Sequence, residues 1–275
     1  MDKYKSNSAF NKWLSPIQLK KLPFSIRKRI DAFNNYQEKL YYHTALHLFL
    51  YAVNEEKESL REIDASLVSK NLQKEFQLES ISYSQLSRTL PLLDSEVLMA
   101  IFYQLLGQVK SKQPVNKRNC LYLIDSSTFS LNKNLYPWAD FRQTKSGIKL
   151  HLKLCFMDND HFYPDDFTIT NAVKHDRSQL DVLVNQPEAT YVYDRGYLDF
   201  KMMDEMHEQG YFFVSRIKKN TKVHVLDTLE KSDEKHILKD QMVALGATNY
   251  LTSRFLYFAR TFYTIMQRKS AHFCA

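Results

Sequence analysis

Two short β-prone runs that each end in an aspartate constrain the fold of this chain more than any other feature. The first covers residues 121–124 and is followed by Asp125 and three hydroxyl residues. The second covers residues 189–193 and is followed by Asp194, with Gly196 two positions later. Short apolar runs are typical of buried strands, and polar residues directly after them are typical of a strand end that opens on a crevice. The pattern predicts a buried sheet with two carboxylates at one edge.

The two aspartates permit two interpretations. An aspartate after a strand frequently serves only to form a turn or to cap the next helix. If the two carboxylates instead lie about 4 Å apart, they repel each other by about 4 kcal/mol at an effective dielectric constant near 20. Such a pair favours a divalent cation between or beside the carboxylates. The residues alone leave both interpretations open.

The two parts of the chain differ in hydrophobic periodicity and in glycine content. Residues 1–115 show helix-period patterning, whereas four of the five glycines lie after residue 146. From residue 148 to residue 156, apolar residues alternate strictly with polar ones, which predicts a strand with an apolar core face and a basic outer face. We therefore predict an α/β fold in which a helical domain, residues 1–115, precedes a mixed-sheet domain, residues 116–246.

Two features of the helical part suit DNA binding. Residues 81–90 place Gln85 and Arg88 three residues apart on one helical face, as in a helix-turn-helix recognition helix. A short solvent-facing helix in a bundle would show the same pattern. The densest basic cluster could contact phosphates or could be an ordinary solvated face. It consists of Lys20, Lys21, Arg27, Lys28 and Arg29. The net charge of +7 favours a polyanionic partner only modestly.

Four motifs follow one another in the second half of the chain: Asp125-Ser126-Ser127-Thr128, Tyr136-Pro137-Trp138-Ala139-Asp140-Phe141-Arg142, Lys145-Ser146-Gly147-Ile148-Lys149-Leu150-His151 and Asp194-Arg195-Gly196-Tyr197. In combination they resemble the conserved blocks of DDE insertion-sequence transposases of the IS-four group, which are distantly related to the Tn-five enzyme. Residues 59–63 and 82–88 also resemble the helical DNA-binding domain of these proteins.

The resemblance implies a ribonuclease-H-like catalytic domain after the helical one. It implies that Asp125 and Asp194 are catalytic and bind Mg²⁺ or Mn²⁺, and that the partner is double-stranded DNA, both element ends and target, bound by a homodimer. Arg142, Lys149 and His151 are predicted to contact phosphates. The resemblance also implies a bacterial protein. We expect it to be cytoplasmic, because no apolar run approaches the length of a membrane span and the three cysteines show neither pairing nor metal-ligand spacing.

The chain departs from the family at the third metal ligand. That ligand is a glutamate in the signature Tyr-x-x-Arg-x-x-x-Glu-x-x-x-x-x-x-Lys. Tyr257 and Arg260 have the right spacing, but Thr264 and Ala271 stand where Glu and Lys are expected, and no acidic residue follows Asp240. We interpret residues 247–275 as a divergent, frame-shifted tail, which would leave a C-terminally truncated transposase with impaired cleavage.

Three functions are therefore open. The first is metal-dependent cleavage and strand transfer at the terminal inverted repeats of an insertion sequence, which is what the resemblance implies, impaired by the missing carboxylate. The second is a catalytically inert DNA-binding fragment that occupies the repeats or inactivates multimers of an intact enzyme by joining them. The third is a ribonuclease-H-like repair nuclease, which would share the aspartates but would need neither a recognition helix nor terminal repeats.

Overall fold

The computed structural model describes residues 9–112, 120–142, 145–158, 161–229, 237–247, 250–251 and 257–262. Internal contacts divide the chain into two compact units, residues 1–114 (unit 1) and residues 115–275 (unit 2). Unit 1 is helical in its described part, whereas unit 2 combines two sheets with short helices. The predicted α/β class, with a helical part followed by a sheet domain, is confirmed.

Unit 1 contains seven α-helices in the residues that the structure describes. They are α1 (Ala9–Leu14), α2 (Phe24–Asn34), α3 (Tyr42–Asn54), α4 (Leu60–Ser66), α5 (Lys70–Phe76), α6 (Tyr83–Thr89) and α7 (Ser95–Lys112). Serine side chains begin two of them: Ser59 accepts a hydrogen bond from the Glu62 amide, and Ser82 accepts one from the Gln85 amide. These caps satisfy amides that would otherwise lack a partner at a helix start.

Helix α3 joins two apolar clusters of unit 1. Its residues Ala45, Leu48 and Ala52 pack in a cluster with side chains of α4, α5 and α6. Tyr42 and Leu46 belong to a second cluster, with side chains of α2 and α7. Because opposite faces of α3 are buried, this helix organises the core of the unit.

Unit 2 is built on a mixed six-stranded sheet. Its strands are β1 (Leu121–Leu131), β2 (Asp140–Arg142), β3 (Lys145–Phe156), β4 (Phe162–Asn171), β5 (Thr190–Tyr193) and β6 (Phe212–Ser215). The order is β2-β3-β1-β5-β6, and β4 also pairs with β3. β3 pairs antiparallel with both β1 and β4, whereas β5 pairs in parallel with both β1 and β6. Three antiparallel strands followed by two parallel ones are consistent with the predicted ribonuclease-H-like fold.

Two short helices lie between strands of the first sheet in the chain, and a second sheet follows it. α8 (Leu180–Leu183) follows β4, and α9 (Phe200–Glu208) follows β5. Asp199 caps the start of α9, and Gly210 follows its end at φ +75°. The second sheet comprises β7 (Val223–Thr228), β8 (Ile237–Ala247), β9 (Tyr250–Leu251) and β10 (Tyr257–Phe262). Met203 of α9 packs with Val243 and Leu245 of β8, so α9 is covered by this sheet.

The predicted faces of β3 are wrong. His151, Lys153 and Cys155 are at most 1% exposed, whereas the leucines between them are only half-buried. Later segments of the chain supply partners for the polar groups of this face. Lys153 pairs with Asp165 of β4 at 3.0 Å and donates to Oδ1 of Asn185, which follows α8, at 2.8 Å. A buried charge is tolerated when it is paired and hydrogen-bonded, as here.

Two further details differ from the predictions. β1 does not end at Asp125 but continues to Leu131, because β3 pairs with it along its whole length. The typical N-cap pattern at Asp176, an aspartate before a short helix, is also not used: Asp176 is the first residue of a 3₁₀ turn over residues 176–179, and its side chain contacts Ser126 of β1 and Lys149 of β3.

The helices of the described residues fall short of a membrane span in length or in apolar character. None of them alone is long and apolar enough to cross a bilayer; residues 83–92 together with α7 would qualify by length and composition, with a 73° bend between them.

Candidate active site

Asp125 and Asp194 occupy adjacent positions at one edge of the parallel part of the sheet. Ile124 of β1 is the register partner of Tyr193 of β5, and each aspartate is the next residue in its chain. Neighbouring strands lie about 4.8 Å apart, and side chains alternate between faces. Both aspartate side chains therefore project from the face of the sheet opposite to the buried Ile124 and Tyr193, and both are exposed. The structure brings the two sequence-predicted acids together.

Asp194 is held in its ionised form by two donors. Its Oδ1 accepts hydrogen bonds from the Arg195 amide at 2.6 Å and from the Arg216 guanidinium at 2.9 Å. Partial desolvation raises the pKa of Asp194, but these bonds and the positive charge of Arg216 outweigh it, so the pKa lies below its usual value. The Asp194 carboxylate therefore carries its negative charge at neutral pH.

Arg216 is a site residue that the sequence did not identify. It follows Ser215 of β6, which is the register partner of Tyr193, so Arg216 stands beside Asp194 as Asp194 stands beside Asp125. The side chains of Arg216 and Asp194 are 62% and 45% exposed. An ion pair this exposed contributes at most about 1 kcal/mol, so it can rearrange when a ligand arrives. The position of Arg216 directly after the β-prone run of residues 212–215 is the sequence signal that could have identified it.

Asp176 supports the edge from the opposite face of the sheet. Its Oδ1 accepts from Ser126 Oγ at 3.1 Å and pairs with Lys149 Nζ at 2.9 Å. A side chain at Gly196 would place its Cβ 3.2 Å from Asp176 Oδ2, a tight contact, so glycine lets the turn after Asp194 approach this carboxylate. Asp176 thus connects the residue after Asp125 with the turn after Asp194.

A buried hydrogen-bond network continues from this point. His151 Nδ1 lies 3.1 Å from the Tyr197 hydroxyl, and His151 Nε2 lies 3.1 Å from Thr170 Oγ1. Desolvation is the main cause that lowers the pKa of His151; Lys149 and Lys174 lower it further, and Asp176 opposes them. His151 is therefore a neutral, satisfied structural group at neutral pH.

These contacts correct several predicted DNA contacts. His151 is completely buried and cannot reach a phosphate. Lys149 is only 15% exposed and is paired with Asp176. Arg142 lies in β2, but its side chain is outside the described part of the structure. The sequence suggested an outer basic face because alternation distinguishes two faces without showing which one is covered.

The residues of unit 1 that were predicted to contact DNA differ in exposure and in their partners. Lys20, Lys21, Arg27 and Lys28 are exposed. Arg29 is instead paired with Asp94 at 2.8 Å and with Glu96 at 2.7 Å. Helix α5 ends at Gln77 in the left-handed region, and α6 begins six residues later. Arg88 of α6 is exposed, whereas Gln85 is half-buried.

The carboxylate pair has the donor chemistry of a hard-cation site. Carboxylate oxygens are the ligands that Mg²⁺ and Mn²⁺ prefer. Among the described residues, no third His, Cys, Asp or Glu completes a metal-binding group. Tyr257 and Arg260 of the glutamate signature lie in β10, antiparallel to β8 and not in a helix, and Thr264 and Ala271 fall outside the described residues. Two carboxylates with the chemistry of metal ligands therefore stand side by side at this edge.

We expect Asp176→Asn to destabilise unit 2 by about 1–3 kcal/mol, because hydrogen bonds to charged groups contribute about that much. The substitution removes the negative partner of Lys149 and weakens the acceptor for Ser126. Urea unfolding followed by circular dichroism measures the loss. Asp181→Asn, an exposed position of α8, is the matched control and should change stability by less than about 0.5 kcal/mol. Equal stability of the two variants would contradict a supporting role for Asp176.

Comparison with known proteins gives a consistent result. The family described as Transposase DDE domain matches residues 116–271. A probable transposase for insertion sequence element IS5377 from Geobacillus stearothermophilus is 31% identical over 111 residues, which are 40% of this chain and 28% of that protein. A putative transposase, y4zB, from Sinorhizobium fredii (strain NBRC 101917 / NGR234) is 31% identical over 130 residues, 47% of this chain and 35% of that protein. The chain thus spans about a third of the length of these curated relatives.

Proposed function

This chain belongs to the transposase DDE domain family, and we propose that it acts on the DNA of an insertion sequence, with Asp125 and Asp194 as metal ligands at the reacting phosphate. Both similar proteins are named as transposases, one of them for an insertion sequence element. Family membership implies a divalent metal. The specific ion, which we propose is Mg²⁺ with Mn²⁺ as a substitute, is an inference from the oxygen donors. Terminal inverted repeats are the proposed substrate, bound by a homodimer.

One observation carries the proposal: the register that makes Asp125 and Asp194 neighbours on one face of the sheet. Both carboxylates are exposed, so a phosphate and its metal could reach them. When bound, Mg²⁺ polarises a phosphodiester and makes a water or hydroxyl a better nucleophile. The role of the two aspartates is to hold the metal ion at the edge of the sheet. Arg216 can leave Asp194 and contact a phosphate oxygen, because its ion pair is weak.

The extent of catalysis depends on a third carboxylate. In the described residues no third ligand joins the pair. The family match extends to residue 271, past the point at which we predicted a divergent tail. We retain the proposal that this chain cleaves DNA feebly at best, since a site with two protein ligands holds its metal loosely. A Mg²⁺-dependent nicking assay on the element's end sequence tests it, and robust cleavage would contradict it.

DNA recognition is proposed for unit 1 through α6 and the exposed lysines. Arg88 is exposed on α6. Arg61 lies over the ring of Tyr83, with 5.0 Å between its guanidinium carbon and the ring centroid, so the start of α6 also carries positive charge. Lys20, Lys21 and Lys28 are the remaining exposed candidates for phosphate contact, together with Arg27.

We expect Arg88→Ala to weaken binding to the inverted repeat by about 1–3 kcal/mol and to reduce discrimination against other sequences. Lys28→Ala should weaken binding to all sequences alike and should lower the salt dependence. Fluorescence anisotropy at several salt concentrations measures both effects. Arg29→Ala is the matched control, because Arg29 is held by Asp94 and Glu96, and its DNA affinity should be nearly unchanged. Arg88→Ala with unaltered affinity and specificity would contradict recognition by α6.

The missing third ligand favours one alternative function. A DNA-binding protein without cleavage activity would bind the repeats and block an intact transposase. It predicts salt-sensitive binding with no nicking in Mg²⁺ or Mn²⁺. The same two assays therefore separate an active enzyme from an inhibitor. Cleavage of RNA–DNA hybrids without sequence preference would instead indicate the repair nuclease.

A further inference from the structure

Two histidines lie one turn apart on α3 in unit 1. The ring centroids of His43 and His47 are 4.6 Å apart, and the rings are inclined by 62°. His43 is exposed and His47 is half-buried. Positions i and i+4 of an α-helix share one face. Two imidazoles at this spacing are a recurring arrangement of zinc ligands.

A neighbouring side chain can orient one of the ligands. His43 Nδ1 lies 3.2 Å from Thr44 Oγ1, and Thr44 is buried. When Nδ1 donates to this hydroxyl oxygen, Nε2 keeps its lone pair. Metal-binding histidines are commonly fixed in this way by an oxygen atom that accepts from the other ring nitrogen. The contact thus prepares the Nε2 of His43 for coordination.

We propose that His43 and His47 form a binding site for a borderline divalent ion such as Zn²⁺ or Ni²⁺, with water in the remaining coordination positions. Imidazole suits these ions, whereas Mg²⁺ prefers oxygen ligands, so the site differs in chemistry from the carboxylate pair of unit 2. A metal bound here links the first two turns of α3, the helix that joins both apolar clusters of unit 1. Metal binding therefore stabilises unit 1.

Calorimetric titration of the full chain with Zn²⁺, without an affinity tag and in excess Mg²⁺, tests the proposal. Excess Mg²⁺ occupies oxygen-rich sites and leaves the imidazoles available. The parent protein should bind Zn²⁺, and both His43→Gln and His47→Gln should weaken that binding by about tenfold or more. Since His43 is exposed, its replacement leaves the fold intact even if His47→Gln does not. His161→Gln removes another exposed imidazole, which contacts Asp158 at 2.8 Å, and should leave the affinity unchanged.

Thermal unfolding supplies a readout that does not depend on DNA cleavage. The Tm of the parent protein should rise with the logarithm of the Zn²⁺ concentration, and that of His43→Gln should not. Thr44→Val should retain binding but weaken it by about tenfold, because only the orienting hydroxyl is lost. Zn²⁺ affinity that is absent in the parent, unchanged in His43→Gln, or lost in His161→Gln would overturn the proposal.

Discussion

Replacing Asp125 with Asn should abolish measurable Mn²⁺ binding at the sheet edge and lower metal-dependent DNA cleavage by about a thousandfold or more. Asn keeps the shape of the side chain but removes one of two anionic ligands, and the remaining Asp194 is already bonded to Arg216. A bound metal lowers a phosphoryl-transfer barrier by several kcal/mol, and each 1.36 kcal/mol corresponds to a factor of ten in rate. Mn²⁺ electron paramagnetic resonance and a nicking assay measure the two effects.

The Mn²⁺ measurement keeps this prediction testable even if the parent protein cleaves feebly. Asp158→Asn is a suitable control, because Asp158 is an exposed aspartate in the turn between β3 and β4 and lies outside the proposed site. DNA affinity should be retained in both variants, since recognition is proposed for unit 1. If Asp125→Asn binds Mn²⁺ as well as Asp158→Asn does, the two strand-edge aspartates are not metal ligands.

The largest expected effect on stability concerns the buried ion pair between Lys153 and Asp165. The side chains are 1% and 4% exposed, and Lys153 also lies 5.2 Å from the centre of the Tyr122 ring. Lys153→Met should cost about 3–5 kcal/mol, because it leaves a buried carboxylate without its positive partner. Chemical denaturation followed by circular dichroism measures the change in the free energy of unfolding.

A double variant separates the cost of an unpaired charge from the contribution of the pair. Lys153→Met combined with Asp165→Leu should recover most of the lost stability, since well-packed apolar groups can replace a buried ion pair at little cost. Lys201→Met breaks the exposed pair with Glu205 and should cost less than about 1 kcal/mol. A loss as small as that of Lys201→Met in the single variant Lys153→Met would show that water reaches the interior pair.

The sequence was informative where local pattern decides the structure. The runs before Asp125 and Asp194 predict buried strands, and these strands are neighbours in the sheet. Ser59 and Asp199 predict helix starts, and both side chains accept the expected backbone hydrogen bonds. Each of these features depends on residues close together in the chain, which periodicity and capping rules describe well.

The sequence was insufficient where distant segments decide the environment. The alternation in β3 reveals two faces, but it does not show that His151 and Lys153 are buried, because their partners come from later segments. These partners include Asp165, Asn185 and Tyr197. Asp176 and Arg216 join the site through contacts across 50 and 22 residues of sequence, respectively. Only the register of the sheet shows that these side chains meet.

The length of β1 has a mechanical consequence for the carboxylate it bears. Up to Ile124 the strand has a neighbour on each side, but from Asp125 to Leu131 its register pairs join it to β3 alone among the described strands. One edge of the backbone there is open, so the outer portion can flex as a two-stranded ribbon while the inner portion stays clamped. Asp125 therefore lies at the boundary between the two portions: the backbone before it is fixed by strands on both sides, and the backbone after it is held by β3 alone.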